Sequence, residues 1–303
     1  MTALHLAGES NNTDIIDLLF SQQGIKIGDD CFKECKKLTR ISISSFVTEI
    51  GNSAFEGCSM LLEMSIPPSV TNIGKYAFKG CSSLKEVTLP MLTELNDSLF
   101  EYCSSLSQIK VPPSVSKINA YAFRDCSSLK EIIIPSSVTM ICGYSFLNCK
   151  SMEKITIPSS VTEINEYLFS RCLSLREISI PSSVTIIKRY AFQDCSSLCK
   201  ISIPDSVTSI EDGAFYGCSS LKHVSIPLTI KEIKNYTFNR CTSLEELNVP
   251  SSVNSIGSYA FYQCNSLKYI AIPSSVTKIG SYAFEGCTSL SPNQIPNLET
   301  GYV

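Results

Sequence analysis

A phenylalanine followed three residues later by a cysteine recurs twelve times in this chain of 303 residues, almost always 23 residues apart. A fixed period of about 20 to 50 residues is typical of a chain built from stacked units. Such a chain presents a long surface instead of one enclosed pocket, which favours binding over catalysis. The twelve pairs are Phe32/Cys35, Phe55/Cys58, Phe78/Cys81, Phe100/Cys103, Phe123/Cys126, Phe146/Cys149, Phe169/Cys172, Phe192/Cys195, Phe215/Cys218, Phe238/Cys241, Phe261/Cys264 and Phe284/Cys287.

One repeat, residues 121–141, shows the pattern that the others share. Leu129 is followed by Ile132 and Ile134, and the residues just before Pro135 alternate between inward and outward positions. An alternation of this kind predicts a short strand. Pro135 is expected to end the strand, since proline has no N–H to donate to a ladder.

Two further segments of the same repeat are predicted from their spacing. Val138 and Ile141 follow the Ser-Ser turn and are expected to face inward again, on a second very short strand. Tyr121–Cys126 is predicted to form a single helical turn that places Phe123 and Cys126 on one side. The sequence therefore predicts an α/β solenoid of about twelve 23-residue units, with a parallel β-sheet on one face and short helical turns on the other.

A single repeat of this length cannot fold alone. About six apolar side chains per repeat contribute roughly 2 kcal/mol each on burial, whereas ordering 23 residues costs about 1 to 2 kcal/mol per residue. Each repeat therefore needs a neighbour on either side to bury its apolar set.

The chain has fifteen cysteines. Twelve occupy one position of the repeat, so stacking aligns them in a row with parallel side chains, which fits disulfide geometry poorly. Buried cysteine behaves as a small apolar group, and we expect the row to consist of inert core thiols. Disulfides and a metal site remain alternatives. The only histidines are His5 and His223, so few ligands are available for zinc.

The recurring pattern Leu-x-x-Ile-x-Ile-Pro-Ser-Ser-Val-Thr-x-Ile-x-x-Tyr-Ala-Phe-x-x-Cys resembles the BspA-like, or Treponema-type, leucine-rich repeats. The resemblance covers about nine tenths of the chain, from residue 24 to 296. It implies a right-handed leucine-rich-repeat solenoid that binds protein partners. It also implies adhesion, often at the surface of bacteria or parasitic protists.

The first residues differ from this pattern. Thr2–Ala7 and Asp14–Phe20 are similar to an ankyrin repeat. The similarity implies an ankyrin-like helical cap over residues 1–23, with His5 in a structural role. Residues 297–303 are predicted to form a C-terminal tail.

If the strand face is presented to a partner, two outward residues per repeat can be identified from the sequence, and the first of them forms a row along the repeats. Most of the residues in this row are charged, and the sign alternates along part of the row. Opposite charges on neighbouring strands contribute about 0.2 to 1 kcal/mol each, so the charges can simply satisfy one another. The alternative is a polar docking strip suited to weak, multivalent contact. The candidate strip is Glu131, Lys154, Glu177, Lys200, His223, Glu246 and Tyr269.

A second stripe recurs at the tyrosine two residues before the phenylalanine. At repeat spacing such a stripe favours packing over a sugar-stacking surface. Its members are Tyr76, Tyr121, Tyr144, Tyr167, Tyr190, Tyr236, Tyr259 and Tyr282.

Composition and motifs exclude several classes of function. The formal net charge of −3 leaves no basic footprint for nucleic acid. No apolar run reaches the roughly 18 residues that a membrane span needs. The sequence shows no phosphate loop, nucleophile elbow or His-Glu-x-x-His motif, so we predict no catalytic residues, cofactor or metal.

Three functional hypotheses remain at this point. The first is a non-enzymatic adhesion or host-interaction surface antigen, whose protein partner is a host-cell or extracellular-matrix component. The second is an intracellular ankyrin/leucine-rich-repeat scaffold. It is favoured by unpaired cysteines and by an N-terminus without the basic start and apolar segment of a secretory signal. The third is a structural spacer.

Overall fold

The computed structural model describes residues 25–295. The predicted ankyrin-like segment 1–23 and the predicted tail 297–303 lie outside the described residues. By its internal contacts the chain divides into two compact units, the first ending at Met152 and the second beginning at Glu153. In both units the chain winds in turns of about 23 residues that stack by parallel strand pairing.

The first set of strands confirms the short strand predicted before the proline, but it starts two residues after the repeat leucine, one residue earlier than predicted. Each strand has three residues, and in all but the last the two outer side chains are exposed and the central one is buried. In the first unit these strands are β3 (Glu63–Ser65), β5 (Glu86–Thr88) and β8 (Glu131–Ile133). In the second unit they are β10 (Lys154–Thr156), β12 (Glu177–Ser179), β14 (Lys200–Ser202), β17 (Glu246–Asn248) and β19 (Tyr269–Ala271).

The second set confirms the very short strand predicted after the Ser-Ser turn. Most of its members have two residues, of which the second is a buried isoleucine or leucine. In the first unit they are β1 (Ile25–Ile27), β2 (Val47–Ile50), β4 (Asn72–Ile73), β6 (Glu94–Leu95), β7 (Lys117–Ile118) and β9 (Met140–Ile141). In the second unit they are β11 (Glu163–Ile164), β13 (Ile186–Ile187), β15 (Ser209–Ile210), β16 (Glu232–Ile233), β18 (Ser255–Ile256) and β20 (Lys278–Ile279).

Pairing within each unit is parallel and joins residues one repeat apart, such as Ile187 and Ile210. The ladders are short sheets of two or three strands rather than one continuous sheet. The first unit contains β1-β2-β4, β3-β5 and β6-β7-β9, and the second contains β11-β13-β15, β12-β14, β16-β18-β20 and β17-β19.

The predicted helical turns are wrong. In the Tyr-Ala-Phe-x-x-Cys segments the N–H of Phe55 donates to the carbonyl of Ala77 in the next turn of the solenoid, at 2.8 Å. Tyr76 and Gly80 have φ values of 60° and 73°, which interrupt the right-handed conformation that a helix requires. These segments are therefore successive tight turns joined to the neighbouring repeat. Within residues 25–295 the one helix is the 3₁₀ helix η1 (Pro292–Gln294).

The core of each unit is a column of phenylalanine rings. Phe215 is fully buried and stacks between Phe192 and Phe238, with both ring-centroid distances at 5.5 Å. In the first unit Phe78 lies between Phe55 and Phe100 in the same way. Each ring fills the space between two repeats, so neighbouring repeats share one apolar core.

The one irregular spacing is absorbed in a turn. Cys81 and Cys103 are 22 residues apart, and the shortening is expected just after Pro90. Leu92 and Leu95 are buried in the positions of the usual valine and isoleucine, while Met91 is 61% exposed. Loss of a residue there leaves the core register intact, because the turn projects into solvent.

The turns number about eleven, not twelve. The last pair, Phe284 and Cys287, is followed by η1 instead of another strand of the first set. Gln294 of η1 fills the place of that strand. Its side-chain carbonyl accepts the Ile270 N–H at 3.0 Å, and its amide N–H donates to the Lys268 carbonyl at 3.1 Å. One side chain thus satisfies two main-chain groups at the edge of β19.

Replacing Gln294 by alanine should remove both hydrogen bonds to the main chain at the edge of β19. We expect the Ile270 amide to exchange with deuterium faster and the free energy of unfolding to fall by about 1 kcal/mol, because two net hydrogen bonds are lost. Hydrogen exchange read at Ile270 and a denaturant titration measure both effects. Asn293→Ala, an exposed neighbour, is the control. Equal exchange at Ile270 in both variants would contradict the capping role.

Candidate functional site

The strand face in each unit is made by the outer residues of the first set of strands. In β12, for example, Glu177 and Ser179 are exposed on one side while Ile178 is buried on the other. Because side chains alternate along a strand, every repeat presents its outer residues in the same direction. The face is therefore a set of parallel rows, each row taking one residue from each repeat.

All seven residues of the candidate strip are exposed. Glu131 belongs to the first unit, and the other six belong to the second. Glu177 lies directly opposite Lys200, and Glu246 lies directly opposite Tyr269. The structure thus brings successive members of the second-unit strip side by side, as the sequence predicts. Whether the strip binds a partner stays a prediction.

The alternative, that the charges of the strip satisfy one another, holds only in part. In the second unit His223 lies 3.6 Å from Glu246, as measured between His Nδ1 and Glu Oε1. Among the described residues Lys154, Glu177 and Lys200 form no ion pair, although Glu177 and Lys200 are in register. Part of the strip is therefore open to a partner.

A second charged row borders the strip, and sequence analysis missed it. It is made by the residue just before each strip residue. In the second unit the carboxylate of Glu245 forms ion pairs with the ammonium groups of Lys222, at 3.8 Å, and Lys268, at 3.7 Å. These three side chains are 37% to 70% exposed, so each pair contributes at most about 1 kcal/mol. The signal was available, because this row recurs with the same 23-residue period.

The first unit contains a buried charge that sequence analysis also missed. The side chain of Glu101 is 5% exposed. Its carboxylate forms ion pairs with Lys79 at 3.1 Å and with Arg124 at 3.3 Å. The Tyr102 ring lies between the same two cations, at 6.0 Å and 5.5 Å from its centroid. Lys79 and Arg124 therefore both contact Glu101 and Tyr102. This cluster of four side chains links three consecutive repeats.

The tyrosine stripe is a packing feature within each unit, in agreement with the sequence. Neighbouring rings such as Tyr236 and Tyr259 stack with centroids 4.9 to 5.1 Å apart. The rings are mostly half-buried. Since their faces cover one another, they are not free to stack on a sugar.

The row cysteines are core thiols, as predicted. Each is buried, and most of the thiols donate to the carbonyl of a phenylalanine in the preceding repeat, as in Cys218 to Phe192 at 3.2 Å. No cysteine of residues 25–295 is in a disulfide. Burial raises the pKa of Cys218 and Cys195 well above the ordinary value, so the reactive thiolate is suppressed.

Two of the cysteines depart from this pattern. Cys199 lies outside the row and is exposed on the strand face, just before Lys200. At the end of the row, a hydrogen bond from Cys264 lowers the pKa of Cys287. We expect Cys199 to react most readily of all the thiols, and Cys287 to react most readily of those in the row.

Two further observations concern metal-ion binding and membrane spanning. Among residues 25–295, no three or more His, Cys, Asp or Glu side chains lie close enough to hold a metal ion. His5 is outside that range, and His223 is on the exposed strand face. In the same part of the chain no helix has the length and apolar character needed to cross a membrane.

The fold and its surface define a leucine-rich-repeat solenoid of parallel strands. The family model described as the BspA type leucine rich repeat region (6 copies) matches residues 10–130, 116–245 and 208–300. The chain therefore belongs to the BspA-type leucine-rich-repeat family. Because the match begins at residue 10, within the segment 1–23, it does not support an ankyrin-like cap there.

Solved structures agree with this family. A leucine-rich repeat protein from Bacteroides ovatus is 26% identical with a TM-score of 0.56, covering 85% of this chain and 88% of that one. A leucine rich cell surface protein from Faecalibacterium prausnitzii is 31% identical with a TM-score of 0.56, covering 88% and 81%. The leucine-rich repeat protein of T. pallidum is 28% identical with a TM-score of 0.55, covering 57% and 85%. Among curated proteins, none matches this sequence.

Proposed function

We propose that this chain is a non-enzymatic protein-binding scaffold that acts in adhesion or host contact at a cell surface. The observation that carries the proposal is the exposed polar strip of the second unit, in which successive repeats place charged residues side by side. A row of this kind offers a partner many weak contacts in register rather than one deep pocket. The partner proposed is a protein of a host cell or of the extracellular matrix.

A surface role is supported by one relative. The Faecalibacterium protein is described as a leucine rich cell surface protein, and it is 31% identical to this chain over most of its length. Catalysis is not proposed, because the row thiols are buried and hydrogen-bonded to main-chain carbonyls. A buried thiol of raised pKa is a poor nucleophile.

A second candidate is an intracellular scaffold, and one observation favours it. Cys199 is an exposed thiol on the strand face. Oxidising compartments favour disulfide formation, whereas the cytosol keeps exposed thiols reduced. Labelling of intact source cells with an impermeant amine reagent separates the two candidates. Labelled protein supports the surface role, and protein labelled only after lysis supports the intracellular one.

The docking role of the strip can be tested by charge reversal. The double variant Lys154→Glu/Lys200→Glu should lose most of its capture of partner proteins from extracts of contacted cells. It should retain the wild-type melting temperature, since both side chains are exposed and form no ion pair. Quantitative mass spectrometry of the captured proteins measures the effect.

A matched control has the same change in net charge away from the strand face. Lys231→Glu/Lys278→Glu alters two exposed lysines, one beside and one within the second set of strands. Equal loss of capture in both double variants would show a general charge effect and would remove the strip as the docking face. If the wild-type protein captures nothing at low salt, the protein-binding function itself is wrong.

A further inference from the structure

The strip of the second unit has an open half and a paired half. Lys154, Glu177 and Lys200 follow one another on β10, β12 and β14, with alternating sign and no ion pair among the described residues. Further along, His223 and Glu246 face each other at 3.6 Å. The open half thus presents a positive, negative, positive series whose charges are not engaged within the protein.

We infer that the open half of the strip receives an α-helix of the partner that carries an acidic, a basic and an acidic residue along one face. This inference rests on the proposed protein-binding function and names the form of the partner. The acidic residues lie against Lys154 and Lys200, and the basic residue lies against Glu177. The helix axis runs across the strands, along the row.

The spacing of the row selects a helix over an extended chain. Neighbouring parallel strands lie about 4.8 Å apart, so the three charges recur at about that interval. On a helix, residues alternately three and four apart share one face and rise about 5.3 Å per step. On an extended strand, residues of one face are about 6.8 Å apart. The mismatch per repeat is therefore about 0.5 Å for the helix and about 2 Å for the strand.

The shape of the surface also suits a helix. The outer residues at the other end of the same strands are Thr156, Ser179 and Ser202, all exposed and all small. Because these side chains are short, the surface beside the strip leaves room for a helix, which is about 10 Å wide, to pack against it. Their hydroxyl groups can hydrogen-bond to polar side chains of the helix.

Charge complementarity fixes the register of the helix. Opposite charges that meet across an interface favour one alignment, and like charges that meet disfavour the alternative. A helix shifted by one step along the row would place each of its acidic residues against Glu177 or beyond the open half. The alternating signs of Lys154, Glu177 and Lys200 therefore select a partner helix with acidic, basic and acidic residues in that order.

Three synthetic helical peptides test this inference against the full-length protein. The matched peptide carries Glu, Lys and Glu at positions i, i+4 and i+7, and the exchanged peptide carries Lys, Glu and Lys there. The third peptide carries Glu, Lys and Glu at i, i+2 and i+4, which places the Lys on the face opposite the two Glu residues. All three have balancing charges on the opposite face, so that their net charge is zero.

At low salt we expect the matched peptide to bind at least about tenfold more tightly than either other peptide, as measured by fluorescence anisotropy. The preference should weaken as salt is raised, because exposed charges are screened. The triple variant Lys154→Glu/Glu177→Lys/Lys200→Glu should invert it and favour the exchanged peptide. Its melting temperature, measured in parallel, shows that the fold is retained.

Two outcomes overturn the inference. One is equal binding of the matched and exchanged peptides, and the other is a preference that the triple variant leaves unchanged. Failure here is distinguishable from failure of the proposed function. If Lys154→Glu/Lys200→Glu abolishes protein capture while the matched peptide shows no preference, the strip binds a protein that is not this helix.

Discussion

Replacing Phe215 by alanine should lower the free energy of unfolding by about 3 to 5 kcal/mol, the range for a large aromatic removed from a packed core. Phe215 is fully buried and stacks on Phe192 and Phe238 at 5.5 Å each. Its loss therefore leaves a cavity that two neighbouring repeats share. A denaturant titration measures the size of the effect.

The loss of stability caused by Phe215→Ala should be confined mainly to the neighbouring repeats. Stability in a stacked array is close to a sum of repeat terms and nearest-neighbour terms, so repeats next to Phe215 should open more often than distant ones. Hydrogen exchange should show the largest loss of protection at main-chain amides of the flanking repeats, such as Phe192 and Phe238. Phe46→Ala, at a side chain that is 41% exposed, is the matched control and should cost much less. A uniform loss of protection along residues 169–284 would contradict the nearest-neighbour account.

Thiol labelling of the native protein should divide the fifteen cysteines sharply. We expect Cys199 to react at the rate of an exposed thiol, and Cys142, which is half-buried, to follow. The row cysteines should react at least about a hundredfold more slowly, because labelling must wait for local opening. Burial also raises the pKa of Cys126 and Cys195, which lowers their thiolate fraction.

Maleimide labelling at neutral pH, followed by digestion and mass spectrometry, resolves each position. Cys287 should be the first of the row to react, since the hydrogen bond from Cys264 lowers its pKa and its exposure reaches 9%. The variant Cys199→Ser should remove the fast phase and leave the rest unchanged. Rapid labelling of Cys126 or Cys195 in the folded protein would show that the row is not a closed core.

Both predictions depend on a feature that the sequence reveals by itself. The spacing of Phe32 and Cys35 recurs twelve times, and only stacking brings residues 23 apart into contact. The same period predicted which residue of β12 points inward and which two point outward. Even the short interval between Cys81 and Cys103 was assigned to the correct turn, because burial of Leu92 and Leu95 requires it.

The helical turns could not be excluded from the sequence. Phe78 and Cys81 are three residues apart, a spacing that fits one face of a helical turn as well as a series of tight turns. Two residues of each segment adopt positive φ, and the Phe55 N–H donates to the next repeat. The hydrogen bond joins two repeats and a positive φ is uncommon for tyrosine, so a propensity argument confined to one repeat gives the wrong element.

The sequence alone determined the architecture of this protein, because a fixed repeat of apolar positions forces every turn to bury the same residues against its neighbour. It also determined which residues are exposed on the strand face. Only the tertiary structure decided which of those residues are engaged with one another. Ion pairing depends on where the ends of long side chains lie, and two charges in register, such as Glu177 and Lys200, need not meet. Capping of β19 by Gln294 was likewise decided by the folded chain, since it joins one side chain to main-chain groups more than twenty residues away.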